Sequence, residues 1–124
     1  MEKITILTNT INEEISDIEK KILNCKTRLE GDFIYAFEWG YSEELFFQTR
    51  KLNDLKGLLK FIENEPGRVV EWLEHNIKSI EDKLLNKDLT NFSTSRSSNI
   101  AFELTLKAEQ SIRILYNQYL KLVK

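Results

Sequence analysis

The stretch ITILTNTINEEISDIEKKILNCKTRL, residues 4–29, carries Ile4, Thr8, Ile11, Ile15, Ile18, Ile22, Cys25 and Leu29 at steps alternating between four and three. That spacing traces one face of an α-helix and gives the kind of seam by which helices pack in coiled coils and bundles. Acidic Glu13, Glu14, Asp17 and Glu19 precede basic Lys20, Lys21, Lys26 and Arg28, an order that suits the helix dipole at about 0.3–1 kcal/mol per charge. β-Branched Ile4-Thr5-Ile6 is also compatible with a strand, so the helix start is set only to within several residues.

Working outward, the chain has one proline and four glycines in 124 residues, which leaves few places where a helix must stop. Gly31-Asp32 offers a C′ residue followed by a fresh N-cap, and reads as a possible kink. Gly40 closes the first helix after Trp39, Ser42 caps the next, and Glu43 and Glu44 fill its first turn. The second seam is Leu45, Gln48, Leu52, Leu55, Leu59 and Ile62, widened by Phe46, Phe47, Leu58 and Phe61. Pro66 suits the first position of a third helix, where its missing N–H would have no partner anyway. That helix shows Val70, Leu73, Ile77, Ile80 and Leu84, with Val69 and Trp72 alongside. Residues 86–99 turn to serine, threonine and asparagine, and the last helix then carries Ala101, Leu104, Ala108, Ile112, Leu115, Tyr119 and Leu122.

The expected architecture is an all-α, four-helix up-down antiparallel bundle with long first and last helices, forming a single domain over 1–124. Its helices are expected at about 3–39, 43–63, 66–87 and 97–123, with a mobile loop at about 88–96. A first helix reaching Trp39 would be about 50 Å long against about 30 Å for the second, and its apolar overhang needs a cover. Self-association supplies one.

Composition narrows the function. With 18 basic and 20 acidic side chains the net charge is −2, so the main electrostatic drive for nucleic acid is missing. Nine basic and thirteen acidic residues precede Pro66, and nine basic and seven acidic follow it; neither half is polarised enough to imply an anionic membrane partner. No apolar run approaches the roughly 20 residues needed to cross a bilayer. Met1-Glu2-Lys3 does not open a signal peptide, and the single Cys25 excludes an internal disulfide. The expected location is the cytoplasm. Cys25 lies on the apolar stripe, where a thiol behaves as a small buried hydrophobe.

Seven of the thirteen aromatic residues fall between positions 33 and 47: Phe33, Tyr35, Phe37, Trp39, Tyr41, Phe46 and Phe47. On a helix Phe33 and Phe37 share a face with Leu29, while Tyr35 and Trp39 lie roughly opposite. Aromatics on both sides imply burial on both sides, either wholly within the bundle core or by the core on one side and a partner on the other. A strand over 33–41 is disfavoured because its backbone would find a mate only in Lys3–Thr8. On the second alternative the expected partner surface is Tyr35, Trp39, Tyr41 and Phe46, rimmed by Glu38, Glu43 and Glu44. The leading functional reading is a non-catalytic regulatory, adaptor or inhibitor-type protein that associates with itself or with a protein partner. No motif names a reaction, and no cofactor is expected.

Two further readings attach to particular residues. The single histidine, His75, is expected to face solvent in Glu74-His75-Asn76-Ile77-Lys78-Ser79. This segment resembles part of the histidine-phosphotransfer pattern, in which an exposed histidine on a four-helix bundle is followed by an apolar residue, a lysine and a small residue at +2, +3 and +4. The resemblance implies a phosphoacceptor at His75 with Lys78 stabilising the charge. It spans six residues; beyond it Ile80, Glu81, Asp82 and Lys83 stand where the family carries small residues and a glycine. The second reading is an anion site at Arg96, Ser97 and Ser98, with Lys107, Arg113, Lys121 and Lys124 as a basic helix for nucleotide or nucleic acid. Metal chemistry is not expected: Glu71 and His75 are spaced i to i+4, but further ligands are missing and zinc lacks its thiolates.

Overall fold

A computed structural model of the chain describes residues 2–31, 40–85 and 96–124. All are helical apart from the corners and the last residue: α1 (Glu2–Gly31), α2 (Tyr41–Asn64), a 3-10 turn (Pro66–Arg68), α3 (Val69–Leu85) and α4 (Arg96–Val123). The expected continuation of the first helix to Trp39 and all of the expected loop at 88–96 except Arg96 lie outside the described residues; Arg96 already belongs to α4.

α1 starts at Glu2, so Ile4-Thr5-Ile6 is helical and not extended. Thr10 and Thr27 donate their hydroxyls to the carbonyls of Ile6 and Leu23 one turn back, at 2.8 and 2.9 Å, which settles these polar β-branched side chains within a helix. The buried line is Leu7, Ile11, Ile15, Ile18, Ile22 and Cys25. Leu7 therefore replaces Thr8 in the expected seam: both lie within a turn of Ile11, and the fully apolar side chain takes the inside. Burial raises the Cys25 thiol pKa above its ordinary value, with the nearby Glu44 carboxylate adding to it. That environment suits a packing residue.

Other expectations also need correcting. Gly40, not Ser42, stands at the N-cap of α2, in the left-handed region (φ 70, ψ 26) that glycine enters without steric cost. Ser42 is already helical. Pro66 opens the 3-10 turn instead of an α-helix; Arg68 N–H closes it on the Glu65 carbonyl at 3.1 Å, and α3 starts at Val69. In α2 the buried line runs Gln48, Lys51, Leu55, Leu58 and Ile62, with Leu45, Leu52 and Leu59 half-buried. The phase differs because α2 packs between two neighbours, α1 and α4, and so buries a wider arc than one seam. Likewise Val69 is buried ahead of Val70, and Tyr116 joins Ala108, Ile112 and Tyr119 inside while Leu122 is exposed.

One cluster of buried residues from all four helices forms the core of this all-α bundle, centred on Ile11, Ile18, Leu55, Leu58, Leu73, Ile112 and Tyr119. Ion pairs tie the helices outside it. Lys124–Glu74 at 3.6 Å, Arg113–Glu81 at 3.8 Å and Lys83–Glu109 at 3.1 Å ascend α3 as they descend α4. Glu109 is buried, and it also accepts from Arg50 of α2 at 3.4 Å, so one carboxylate links three helices. Lys51 is buried too. Its ammonium lies 4.0 Å from Glu14 on α1 and 5.2 Å from the Phe47 ring centre.

Candidate association surface

The expected partner surface divides at Gly40. Tyr35, Glu38 and Trp39 lie outside the described residues; Tyr41 is the first residue of α2. Beyond the left-handed corner, the Glu44 N–H donates to the Gly40 carbonyl at 3.0 Å and closes the first helical turn. Glu43 and Glu44 then sit where the free amides of a helix N-terminus favour negative charge.

Two consecutive phenylalanines meet different fates here. Phe47 is half-buried, with Lys51 on its own helix and Lys107 of α4 placed 5.2 and 5.7 Å from its ring centre. Phe46 points away from the core and remains 42% exposed. It lines a surface groove of about 400 Å³ with Leu45, Thr49, Arg50 and Asn53. Arg50 forms the basic wall, 3.6 Å from Asp54 and 3.4 Å from Glu109. Burial raises the Asp54 carboxyl pKa above its ordinary value, against the opposing pull of the Arg50 guanidinium. The groove thus offers an aromatic anchor, an aliphatic wall, a cation and hydrogen-bonding groups, with the Glu43 carboxylate exposed three residues before Phe46. Sequence reasoning named Phe46 and Glu43 but missed Thr49, Arg50 and Asn53. Their signal was present as the i+3, i+4 and i+7 positions of Phe46.

At the other end of α2 a second cleft, of about 370 Å³, is lined by Phe61, Arg68, Glu71, Trp72 and His75. His75 and Lys78 are both exposed on α3. The Phe61 and Trp72 rings are 5.7 Å apart, and Trp72 meets Tyr116 edge-on at 5.4 Å, so the cleft has an aromatic floor fixed to the core. Arg68, the natural clamp for an anion, is held by Glu65 at 3.4 Å and Glu71 at 3.5 Å.

Arg96 is the first residue of α4, with Ser97 and Ser98 in its first turn. Of the basic residues further along that helix, Arg113 and Lys124 face carboxylates of α3, Lys107 lies by Phe47, and Lys121 is exposed. Among the described residues no three His, Cys, Asp or Glu side chains are placed to hold a metal ion, and no helix is long and apolar enough to cross a membrane. Comparison of the chain with protein-family models, with curated proteins and with solved structures finds no match.

Proposed function

We propose that this chain is an up-down antiparallel bundle with long first and last helices that works by protein–protein association, as a regulatory, adaptor or inhibitor-type protein that associates with itself. The observation that carries the reading is Phe46, a large aromatic side chain 42% exposed beside an apolar-walled groove at the start of α2. Covering the exposed part of such a side chain is worth roughly 1 kcal/mol, and aromatic anchors of this kind dominate protein interfaces. Tyr35, Trp39 and Tyr41, rimmed by Glu38, Glu43 and Glu44, extend the surface on sequence grounds.

Sedimentation across a range of protein concentrations tests this directly. Wild type should associate, and Phe46→Ala should shift the equilibrium toward monomer, as should Trp39→Ala and Tyr35→Ala. A wild-type chain that stays monomeric throughout removes the self-association reading.

A second reading rests on the exposed His75 imidazole at the edge of the Phe61–Trp72 cleft. Phosphoryl acceptance there would place Lys78 one turn on as the countercharge, with Glu71 opposing it. Incubation with a phosphodonor and a receiver domain should label wild type and leave His75→Ala unlabelled; an unlabelled wild type ends this reading.

A further inference from the structure

The outer face of α2 carries a second seam that the fold does not use. Glu43, Phe46, Arg50, Asn53, Gly57 and Lys60 follow one another at steps of three, four, three, four and three, the spacing by which one helix packs against another. Five of the six are exposed and Arg50 is half-buried. Two members are out of place on a solvated face. Phe46 leaves a large aromatic side chain 42% exposed. Gly57 stands mid-helix, where glycine costs stability relative to alanine, yet among the described residues a methyl group added there would meet nothing within 4 Å. Packing among the described residues gives no reason for that glycine. A close approach from outside does.

The seam also complements itself. When a second α2 is laid antiparallel about a point midway between Arg50 and Asn53, Phe46 falls opposite Gly57, Arg50 opposite Asn53, and Glu43 opposite Lys60. Each pairing occurs twice, as a two-fold interface requires. The ring enters the notch left by the missing side chain, the guanidinium meets an amide carbonyl, and an ion pair closes each end. Among the described residues neither Glu43 nor Lys60 has an ion-pair partner within the chain.

We propose that the groove at Phe46 is filled by a second copy of this chain, through an antiparallel α2–α2 pair in which Phe46 of each copy seats over Gly57 of the other and Glu43 pairs with Lys60. This rests on the association reading above and assigns its occupant and register.

The test reads register separately from association. Gly57→Leu fills the notch at an exposed site with open space around it, so the chain should fold while dimerisation weakens roughly tenfold or more. Glu43→Lys and Lys60→Glu should each weaken it by about tenfold, since each turns both end pairs repulsive. An equimolar mixture of those two variants should recover wild-type association, because both end pairs are then attractive again. In a Cys25→Ser background, Glu43→Cys with Lys60→Cys should oxidise to a covalent dimer. The two positions are about 25 Å apart along one helix and cannot close on each other. Dimers that ignore Gly57→Leu, with no rescue in the mixture and no covalent dimer, overturn this register while leaving association through another face intact. A wild-type chain monomeric at every concentration overturns both.

Discussion

On the inner face of α2 the line Gln48, Lys51, Leu55, Leu58 and Ile62 is buried against α1 and α4, and each apolar member belongs to the common core. On the outer face Glu43, Phe46, Asn53, Gly57 and Lys60 are exposed at the same helical spacing. The inner line holds two residues that sequence rules place outside, Gln48 and Lys51. The outer line holds one that they place inside, Phe46. The inner exceptions are tied within the chain: Lys51 reaches Glu14 and the Phe47 ring, and Gln48 donates its amide Nε2 to Glu44 at 2.7 Å, although its buried Oε1 has no partner among the described residues. Among the described residues the outer exception has no such account. An anomaly explained by a neighbour belongs to the fold, whereas an unexplained one directs attention to function.

The largest expected effect breaks the inner face. Leu58→Ala removes a fully buried side chain and should cost about 2–5 kcal/mol in denaturant unfolding. Phe46→Ala on the outer face should leave unfolding of the monomer nearly unchanged and act on sedimentation. Next comes the carboxylate that joins three helices: Glu109→Ala should cost about 2 kcal/mol, because Arg50 and Lys83 lose a shared, buried acceptor. In the opposite direction, burial lowers the Lys51 pKa against the pull of Glu14, so its charged form is carried at a cost. Lys51→Met should therefore raise stability at neutral pH in denaturant unfolding, with the lost 4.0 Å contact to Glu14 offsetting part of the gain.

Smaller effects sharpen the contrast. Gly57→Ala should stabilise the monomer by about 0.4–1 kcal/mol while weakening association, two readouts moving in opposite directions from one methyl group. The smallest is pH-dependent and concerns Asp54. Its pKa is raised by burial, so the folded chain holds that proton more tightly than the unfolded one. The stability it contributes is present at low pH and lost as pH rises through the raised value. Unfolding of wild type and Asp54→Asn compared from pH 3 to 7 should show the difference moving against wild type as pH climbs past its ordinary 3.8.

Helix periodicity made most of the secondary structure readable, since Ile11, Ile15, Ile18, Ile22 and Cys25 could share a face only on a helix. Its phase was less accessible. Thr8 and Leu7 are both compatible with the α1 seam, and Val69 and Val70 with that of α3; a residue's neighbour on another helix decides between them. The candidate site was half legible. Phe46 and Glu43 stood out by composition, but Thr49, Arg50 and Asn53 looked like ordinary solvated positions. Their assembly into a groove depends on which arc of α2 faces α1 and α4. The Arg68–Trp72–His75 cleft was missed for a similar reason: its opposite wall, Phe61, comes from the helix before the Pro66 turn.

By itself the sequence determined the helical class, the corner at Gly40 and the amphipathic stripes, because these depend on local backbone freedom and on the period of apolar residues. Only the tertiary structure decided which stripe each helix turns inward. α2 carries apolar or aromatic residues on more than one face, and packing between two helices buried the arc through Leu55 and Leu58 while leaving Phe46 and Gly57 exposed.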